Sequence, residues 1–242
     1  MHLINLKEEL KKAKEGNGQS QYYMALYHYE KDEYEDFIYW LKLSVEQNYT
    51  NALAWFGYCY DVGIGVKRDI KEAMRYYLKA AELGSVQSQY NYGTIKQVYA
   101  KDDKDLKEAN KWLKKAAVAN HEVAQSNLGY NYSKGIGVEQ DYEKALFWWK
   151  KAAKNGYMKS QMALAECYAD GRGVKQDYIK ANKFWKLAAD QGEAISAYNI
   201  GHSYMVGRGT KKNLDKAKHY FKIASNKGFI MGTKMLENLN SL

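Results

Sequence analysis

The stretch from Ala52 to Gly84, ALAWFGYCYDVGIGVKRDIKEAMRYYLKAAELG, decides the fold because the chain repeats its pattern at a fixed interval. The position of its last glycine recurs every 36 residues, as Gly84, Asn120, Gly156, Gly192 and Gly228. The alanine at its centre recurs with the same spacing, as Ala73, Ala109, Ala145, Ala181 and Ala217. A fixed period of this length indicates a solenoid, in which each unit buries its apolar face against its neighbours.

The first half of the stretch predicts a helix, because Ala52, Phe56, Gly57 and Tyr60 fall on one helical face. A glycine inside a helix costs about 1 kcal/mol relative to alanine. Its recurrence at this position therefore predicts a close crossing with another helix, and the equivalents of Gly57 are Gly93, Gly129, Ala165 and Gly201. The double glycine Gly63-Ile-Gly65 predicts that the helix ends in a left-handed conformation.

The second half predicts another helix, which begins after an aspartate that can cap its N-terminus. The predicted caps are Asp69, Asp105, Asp141, Asp177 and Asn213. Each second helix then carries a bulky pair, such as Tyr76-Tyr77, followed by a small pair, such as Ala80-Ala81. Large residues that face small ones allow neighbouring helices to interdigitate.

The two ends of the chain depart from the period and predict capping helices. Residues 1–16 form the N-terminal cap, with Leu3, Leu6 and Leu10 facing inward, and residues 229–242 form the C-terminal cap. Between them we expect six repeats, at 17–48, 49–84, 85–120, 121–156, 157–192 and 193–228. The sequence contains no proline and no Gly/Ser-rich linker, so we expect residues 1–242 to form one domain.

Two repeats lack the double-glycine loop. The first is four residues shorter and runs through Glu30-Lys-Asp-Glu33, and the third has the charged segment from Tyr99 to Asp105. For the third repeat two interpretations remain open. The charged loop is a solvated variant of the turn, or it marks a break in register or a contact with a partner.

The pattern small-x3-apolar-G-x2-Y-x2-G-x-G-V-x2-D-x3-A-x2-W-x2-K-A-A-x2-G resembles the Sel-like repeat family, which is related to tetratricopeptide repeats, over residues 17–228. The resemblance implies an all-α fold, a right-handed α/α solenoid of about six helix-turn-helix repeats. It also implies a noncatalytic scaffold or adaptor, since most members of this family hold other proteins. A bacterial adaptor and an immunity protein that neutralises a cognate toxin are two specific roles within this class.

The composition and the charge bear on the expected partner and the expected compartment. The formal net charge is +9, which favours acidic partners. No stretch approaches the roughly 18 apolar residues of a membrane span, and the N-terminal segment has no apolar signal-peptide core. We therefore expect a cytoplasmic monomer, with leaderless secretion or a removed leader left open. No nucleic-acid-binding module is recognisable, so nucleic acid is not the expected partner.

Catalytic, cofactor and metal sites are not predicted. Cys59 and Cys167 occupy the same register three repeats apart, too far for a disulfide. The five histidines show no paired metal-binding spacing. Cysteine-rich relatives that bind or hydrolyse β-lactams carry two cysteines per repeat, a pattern that this chain lacks. It also lacks the Ser-x-x-Lys motif of serine β-lactamases. A β-lactamase-like activity therefore remains only as the rival hypothesis.

One candidate binding surface follows the first helices, which line the concave side in this kind of solenoid. Its residues share two registers of the repeat and are Tyr23, Trp55, Tyr58, Asn91, Thr94, Asn127, Tyr130, Asn199 and His202. Asparagine offers both a donor and an acceptor to an extended peptide, and aromatic rings supply anchoring area. The alternative is that the asparagines hold a neighbouring loop of the same chain.

A second candidate surface is a ridge of lysines on the second helices. One register gives Lys42, Lys114, Lys150, Lys186 and Lys222, with Leu78 as the interruption. The last four are the candidate contacts for an acidic partner. The alternative is that lysines near a helix C-terminus complement the helix dipole and keep this face soluble.

Overall fold

The computed structural model describes residues 6–241, and all regular secondary structure in that range is helical. None of the helices in the described range has the length and hydropathy that a membrane span would need. The chain divides into two compact units between Ala119 and Asn120. Leu3, which was predicted to face inward, and Leu242 of the predicted C-terminal cap lie outside the described residues.

The helices of the first unit are α1 (Leu6–Lys14), α2 (Gly18–Tyr29), α3 (Tyr34–Glu46), α4 (Thr50–Val62), α5 (Ile70–Glu82), α6 (Val86–Val98) and α7 (Asp103–Val118). Those of the second unit are α8 (Glu122–Lys134), α9 (Tyr142–Lys154), α10 (Met158–Asp170), α11 (Tyr178–Asp190), α12 (Ala194–Val206), α13 (Leu214–Asn226) and α14 (Ile230–Asn240). From α2 onward the helices pack in pairs within each unit, a first helix against the second helix that follows it.

The predicted close crossing between the two helices of a pair is confirmed. A Cβ atom on Gly57 would lie 2.8 Å from the Tyr77 ring, and one on Gly129 would lie 2.5 Å from the Trp149 ring. Real Cβ atoms do not approach other atoms so closely, so these positions need glycine. The ring of the second helix therefore packs directly against the backbone of the first helix.

The predicted turn between the two helices is also confirmed in four of the repeats. Gly63 ends α4 with a φ of 86°, and its equivalents Gly135, Gly171 and Gly207 are left-handed too. Asp69 then caps α5 by accepting hydrogen bonds from the backbone N–H groups of Lys71 and Glu72. The loop thus ends one helix and starts the next, and it has a structural explanation that requires no ligand.

In the third repeat, the predicted N-cap Asp105 is wrong. Asp102, not Asp105, caps α7, and its carboxylate accepts from the Asp105 backbone N–H at 2.9 Å. The loop that replaces the double glycine is short, and the 16 residues of α7 make up the difference. Ala109 and Leu113 are both 0% exposed, at the positions of buried residues in the other repeats. The charged segment therefore causes no break in register.

Asp105 has a different structural role from the predicted cap. Its carboxylate contacts the Lys96 ammonium at 2.7 Å and accepts from the Lys101 backbone N–H at 3.0 Å. The hydrogen bond with Lys96 is the main reason why the pKa of Asp105 lies below its usual range. These contacts fix the short loop to the end of α6.

The N-terminal cap is helical, but the predicted inward leucines Leu6 and Leu10 are not fully buried. Leu6 is 38% exposed and Leu10 is partly buried, whereas Ala13 is buried. The Ala13 carbonyl accepts a hydrogen bond from the Gln21 side chain of α2 at 3.1 Å. The inward face of α1 is thus set by its C-terminal turn, where the small alanine allows close contact with α2.

Candidate functional site

A groove of about 740 Å³ lies on the first helices of the first unit, between α2, α4 and α6. We call it the Trp55 groove. Its volume is within the range of typical ligand-binding clefts, roughly 300–1,000 Å³. It is lined by Tyr22, Tyr29, Asn51, Ala54, Trp55, Tyr58, Asp61, Tyr77, Ser85, Gln87 and Asn91.

One side of the Trp55 groove is a wall of aromatic rings. The ring centroids of Tyr29 and Trp55 are 5.0 Å apart, and those of Trp55 and Tyr58 are 5.7 Å apart with their planes at 88°. The Trp55 ring also lies edge-on to the buried Phe37 ring at 6.1 Å. These contacts hold the Trp55 ring in place and make the wall rigid before anything binds.

The other side of the groove is polar. The Gln87 side-chain amide donates to the Asn91 side-chain oxygen at 2.9 Å. Burial raises the pKa of the Tyr77 hydroxyl, and the nearby Asp61 carboxylate adds to this effect. Asn91 therefore already makes a hydrogen bond within its own helix while it also lines the groove, and this bond is not to a neighbouring loop.

Among the residues that the structure describes, Asp61 is the only charged one that lines the Trp55 groove. The nearest arginine in the sequence, Arg68, donates to the Asp61 backbone carbonyl at 2.7 Å, not to its carboxylate. Among the ion pairs that residues 6–241 form, none includes the Asp61 carboxylate. The groove therefore combines aromatic rings with one acidic group that has no cationic partner.

Three residues of the predicted first-helix surface line this groove, namely Trp55, Tyr58 and Asn91. Two others in the first unit do not. The Tyr23 hydroxyl accepts a hydrogen bond from Gln19 at 2.8 Å. The Thr94 hydroxyl is buried without a hydrogen-bond partner in the described structure.

The remaining predicted residues of this surface are in the second unit. Asn127 and Tyr130 lie on α8, and Asn199 and His202 lie on α12. Tyr130 is 51% exposed, whereas the other three are partly buried. Between these helices in the sequence, α10 has Ala163 and Glu166 at the same registers, so the aromatic and amide character does not continue through this unit.

Sequence reasoning missed several residues of the groove, although the repeat contains a signal for some of them. Asn51 and Gln87 precede Trp55 and Asn91 by one helical turn. Tyr29 occupies the register of Asp61 once the shorter first repeat is taken into account. Extending the predicted helix face by one turn in each direction would have included Asn51, Gln87 and Tyr29. Tyr77 had no such signal, because it comes from a second helix.

The lysines of the predicted ridge are all exposed, but they differ in their surroundings. Lys114 lines a second groove in the first unit, of about 530 Å³, which we call the Lys114 groove. Lys186 instead pairs with Asp190 at 2.7 Å, one turn along its own helix. The Lys114 groove is lined by Gly84, Val86, Gln89, Lys111, Lys114, Lys115, Val118 and Ala119.

The two cysteines are free and buried. Burial raises the pKa of the Cys59 thiol to about 12 and that of the Cys167 thiol to about 11. A thiol must lose its proton to become a nucleophile. Both side chains are therefore protonated at neutral pH and act as small core residues.

One histidine lies close to two carboxylates. The Nδ1 atom of His28 is 2.6 Å from a Glu33 carboxylate oxygen and 3.9 Å from an Asp36 carboxylate oxygen. The three groups could offer ligand atoms to a metal ion. The contact with Glu33 spans the shortened turn between α2 and α3, so it stabilises the turn that replaces the double glycine.

The model of the Sel1 repeat matches the chain at residues 39–57, 50–85, 86–121, 123–157, 159–193 and 194–229. The chain belongs to the Sel1 repeat family. The predicted family resemblance and the predicted all-α solenoid class are thereby confirmed. Sel1 repeat proteins are generally protein-interaction scaffolds.

Solved structures support the same assignment. A Sel1 repeat protein from Oxalobacter formigenes is 30% identical, with a TM-score of 0.76 over 89% of this chain and 86% of its own. The protective antigen c5321 of uropathogenic Escherichia coli, which has an SLR fold, is 26% identical, with a TM-score of 0.65 over 98% of this chain. This chain spans 59% of the c5321 chain.

A third structure is the immunity protein PA5088 from Pseudomonas aeruginosa. It is 22% identical, with a TM-score of 0.52 over 85% of this chain and 82% of its own, and it shows similarity of fold alone. No match is found among curated proteins.

Proposed function

We propose that this Sel1 repeat protein is a noncatalytic adaptor that binds a segment of a partner protein in the Trp55 groove. The observation that carries this proposal is the rigid aromatic wall of Tyr29, Trp55 and Tyr58 beside the amides of Gln87 and Asn91. Tryptophan and tyrosine dominate binding energy at protein interfaces when they are rigid and central. Side-chain amides can in addition bond the backbone of an extended segment.

Preorganisation supplies the mechanism. Association costs translational, rotational and side-chain freedom, and a surface that is already ordered loses less of it. Trp55 is held by ring contacts with Tyr29, Phe37 and Tyr58. Tyr58 is 42% exposed and offers its ring directly to a partner. Less of the free energy gained from contact with the partner is therefore spent on ordering these side chains.

The test is affinity capture from a lysate of the source organism, with the purified chain as bait. Wild type is compared with the double variant Trp55→Ala plus Tyr58→Ala, with Tyr58→Ala alone, and with Phe147→Ala. Phe147 is the matched control, because it is an aromatic residue with 51% exposure on α9. Far-ultraviolet circular dichroism and thermal unfolding show which variants keep the fold.

We expect wild type and Phe147→Ala to retain a common partner, and the double variant to lose it. With the partner purified, the dissociation constant should rise at least about tenfold for Tyr58→Ala, as at an interface hot spot. A partner that every variant captures equally would place the interface outside the groove. Nitrocefin turnover that a single substitution abolishes would contradict the noncatalytic role.

Neutralisation of a toxin is a narrower form of the same proposal. It would use the same groove and would differ only in the identity of the partner. A toxin gene beside the gene for this chain would identify that partner, and the capture variants would test it directly.

A further inference from the structure

We propose that the Trp55 groove receives a basic side chain, arginine or lysine, from the partner protein. This inference rests on the proposed function, since it names the chemistry of the segment that the groove binds. It departs from the expectation of an acidic partner, which followed from the net charge of +9. The charge inside the groove has the opposite sign.

The first step of the argument concerns the charge of the groove. Asp61 is its only charged lining residue, and its carboxylate has no ion-pair partner within the described residues. Asp61 lines the groove together with Tyr77, whose pKa is raised by burial and further by the nearby Asp61 carboxylate. A half-buried carboxylate without a partner is stabilised by an incoming cation.

The second step concerns the aromatic rings. A cation near an aromatic face gains about 0.5–2 kcal/mol, and tryptophan is the best of the aromatic residues. The rings of Trp55 and Tyr58 meet at 88°, and the ring of Tyr29 meets that of Trp55 at 64°. Trp55 and Tyr58 both line the groove, and Tyr58 is 42% exposed, so ring surface is accessible to a ligand. The groove thus offers ring faces close to a carboxylate.

The third step concerns the rest of the protein. The positive charges elsewhere on the chain act through solvent, and at physiological salt the Debye length is about 8 Å. Charges beyond that distance are largely screened. The nearby Arg68 side chain donates to the Asp61 backbone carbonyl and makes no ion pair with its carboxylate, so the carboxylate keeps its charge for a ligand. The opposite chemistry is found in the Lys114 groove, where three lysines would repel a basic segment.

The experiment uses the whole chain and four tripeptides with blocked ends, Gly-Arg-Gly, Gly-Lys-Gly, Gly-Gln-Gly and Gly-Glu-Gly. Binding is followed by the Trp55 indole N–H signal in ¹⁵N-edited NMR, which Trp55→Phe assigns. We expect the arginine and lysine peptides to shift this signal saturably, and to do so more weakly as salt rises. The glutamine and glutamate peptides should bind at least about tenfold more weakly.

The variant Asp61→Asn keeps the shape of the side chain and removes its charge, so it should weaken binding of the arginine peptide about tenfold. Asp215→Asn is the matched control, because Asp215 is an exposed aspartate on α13 in the second unit. Unchanged binding by Asp61→Asn would overturn the inference. Equal or tighter binding of the glutamine or glutamate peptide, or no shift with any peptide, would also overturn it.

The two proposals fail in distinguishable ways. If partner capture depends on Trp55 and Tyr58 but the arginine peptide does not bind, the groove is an interface for different chemistry. If substitution of Trp55 and Tyr58 leaves partner capture unchanged, the proposed adaptor function of the groove is wrong. The tripeptide results do not depend on the partner and so remain interpretable in either case.

Discussion

The Trp55 groove and the Lys114 groove lie in the same unit and are built from the same repeat, yet they offer opposite surfaces. The first has aromatic rings held by other rings and a single carboxylate. The second is lined by three lysine side chains and by aliphatic residues such as Val86 and Val118. Lysine carries about 2 kcal/mol of rotamer entropy, part of which is lost when it is ordered. Both surfaces have exposed residues at repeated positions, so the proposal of a binding site in the Trp55 groove rests on the packing of its rings and on its unpaired carboxylate.

One lysine of the Lys114 groove is already used within the chain. The Lys115 ammonium lies 3.7 Å from the centroid of the Trp112 ring. This cation–π contact covers a buried tryptophan from the solvent side, which is consistent with a solubilising role for this face. The three lysines of the Lys114 groove are therefore not equivalent, because Lys115 already contacts a ring of the chain.

The largest effect is expected from a substitution at Gly57, which packs against the ring of Tyr77. Gly57→Val would place side-chain atoms against the Tyr77 ring, which forms the floor of the Trp55 groove. Because the ring is buried, we expect a loss of about 3 kcal/mol in the free energy of unfolding, as for an overpacked core. Urea denaturation followed by circular dichroism measures this change.

Gly84→Ala is the control, because Gly84 lines the Lys114 groove and a Cβ atom there would meet nothing within 4 Å. Its φ of 93° leaves only backbone strain, about 1–2 kcal/mol. Equal losses for the two variants would show that the Tyr77 contact does not determine the packing of this pair.

The Tyr77 hydroxyl gives the next largest effect. Burial raises its pKa in the folded chain above the ordinary value of about 10. Above that pH the unfolded chain loses this proton before the folded chain does, so stability falls as pH rises toward the folded pKa. Tyr77→Phe should reduce the slope of stability against pH by about 1 kcal/mol per unit above pH 10.

The measurement is urea denaturation at a series of alkaline pH values for wild type and the variant. Tyr58→Phe is the matched control, since its ring lines the same groove but is 42% exposed. If Tyr77→Phe leaves the slope as steep as in wild type, the hydroxyl is not buried in solution as the structure shows.

The sequence predicts the repeated parts of this molecule far better than the groove. The 36-residue period predicts the helix pairs, and the recurrent glycines predict crossings such as that of Gly57 with Tyr77. The charged loop of the third repeat was harder, because Asp102 and Asp105 are both suitable caps and only the extra turn of α7 decides between them. Local rules do not choose between two such residues three positions apart.

The groove could be predicted only in part, because it combines residues from several repeats. Trp55, Tyr58 and Asn91 share registers and were found, whereas Tyr77 reaches the groove through a gap that Gly57 leaves. The acidic lining residue Asp61 was not predicted either. The net charge is a property of the whole chain, but Asp61 is a local exception that only the arrangement of neighbouring helices makes significant.

The smallest effect is expected from charge reversal in the Lys114 groove. The double variant Lys111→Glu plus Lys114→Glu changes this groove from basic to acidic and leaves the Lys115 contact with Trp112 intact. Exposed charges contribute little to stability, so the free energy of unfolding should change by less than about 1 kcal/mol. Partner capture and binding of the arginine peptide should change less than about twofold at physiological salt, because both lysines are exposed and salt screens exposed charges. If this variant loses the partner and Trp55→Ala plus Tyr58→Ala keeps it, the roles of the two grooves are reversed, and the lysine face is the interface with an acidic partner.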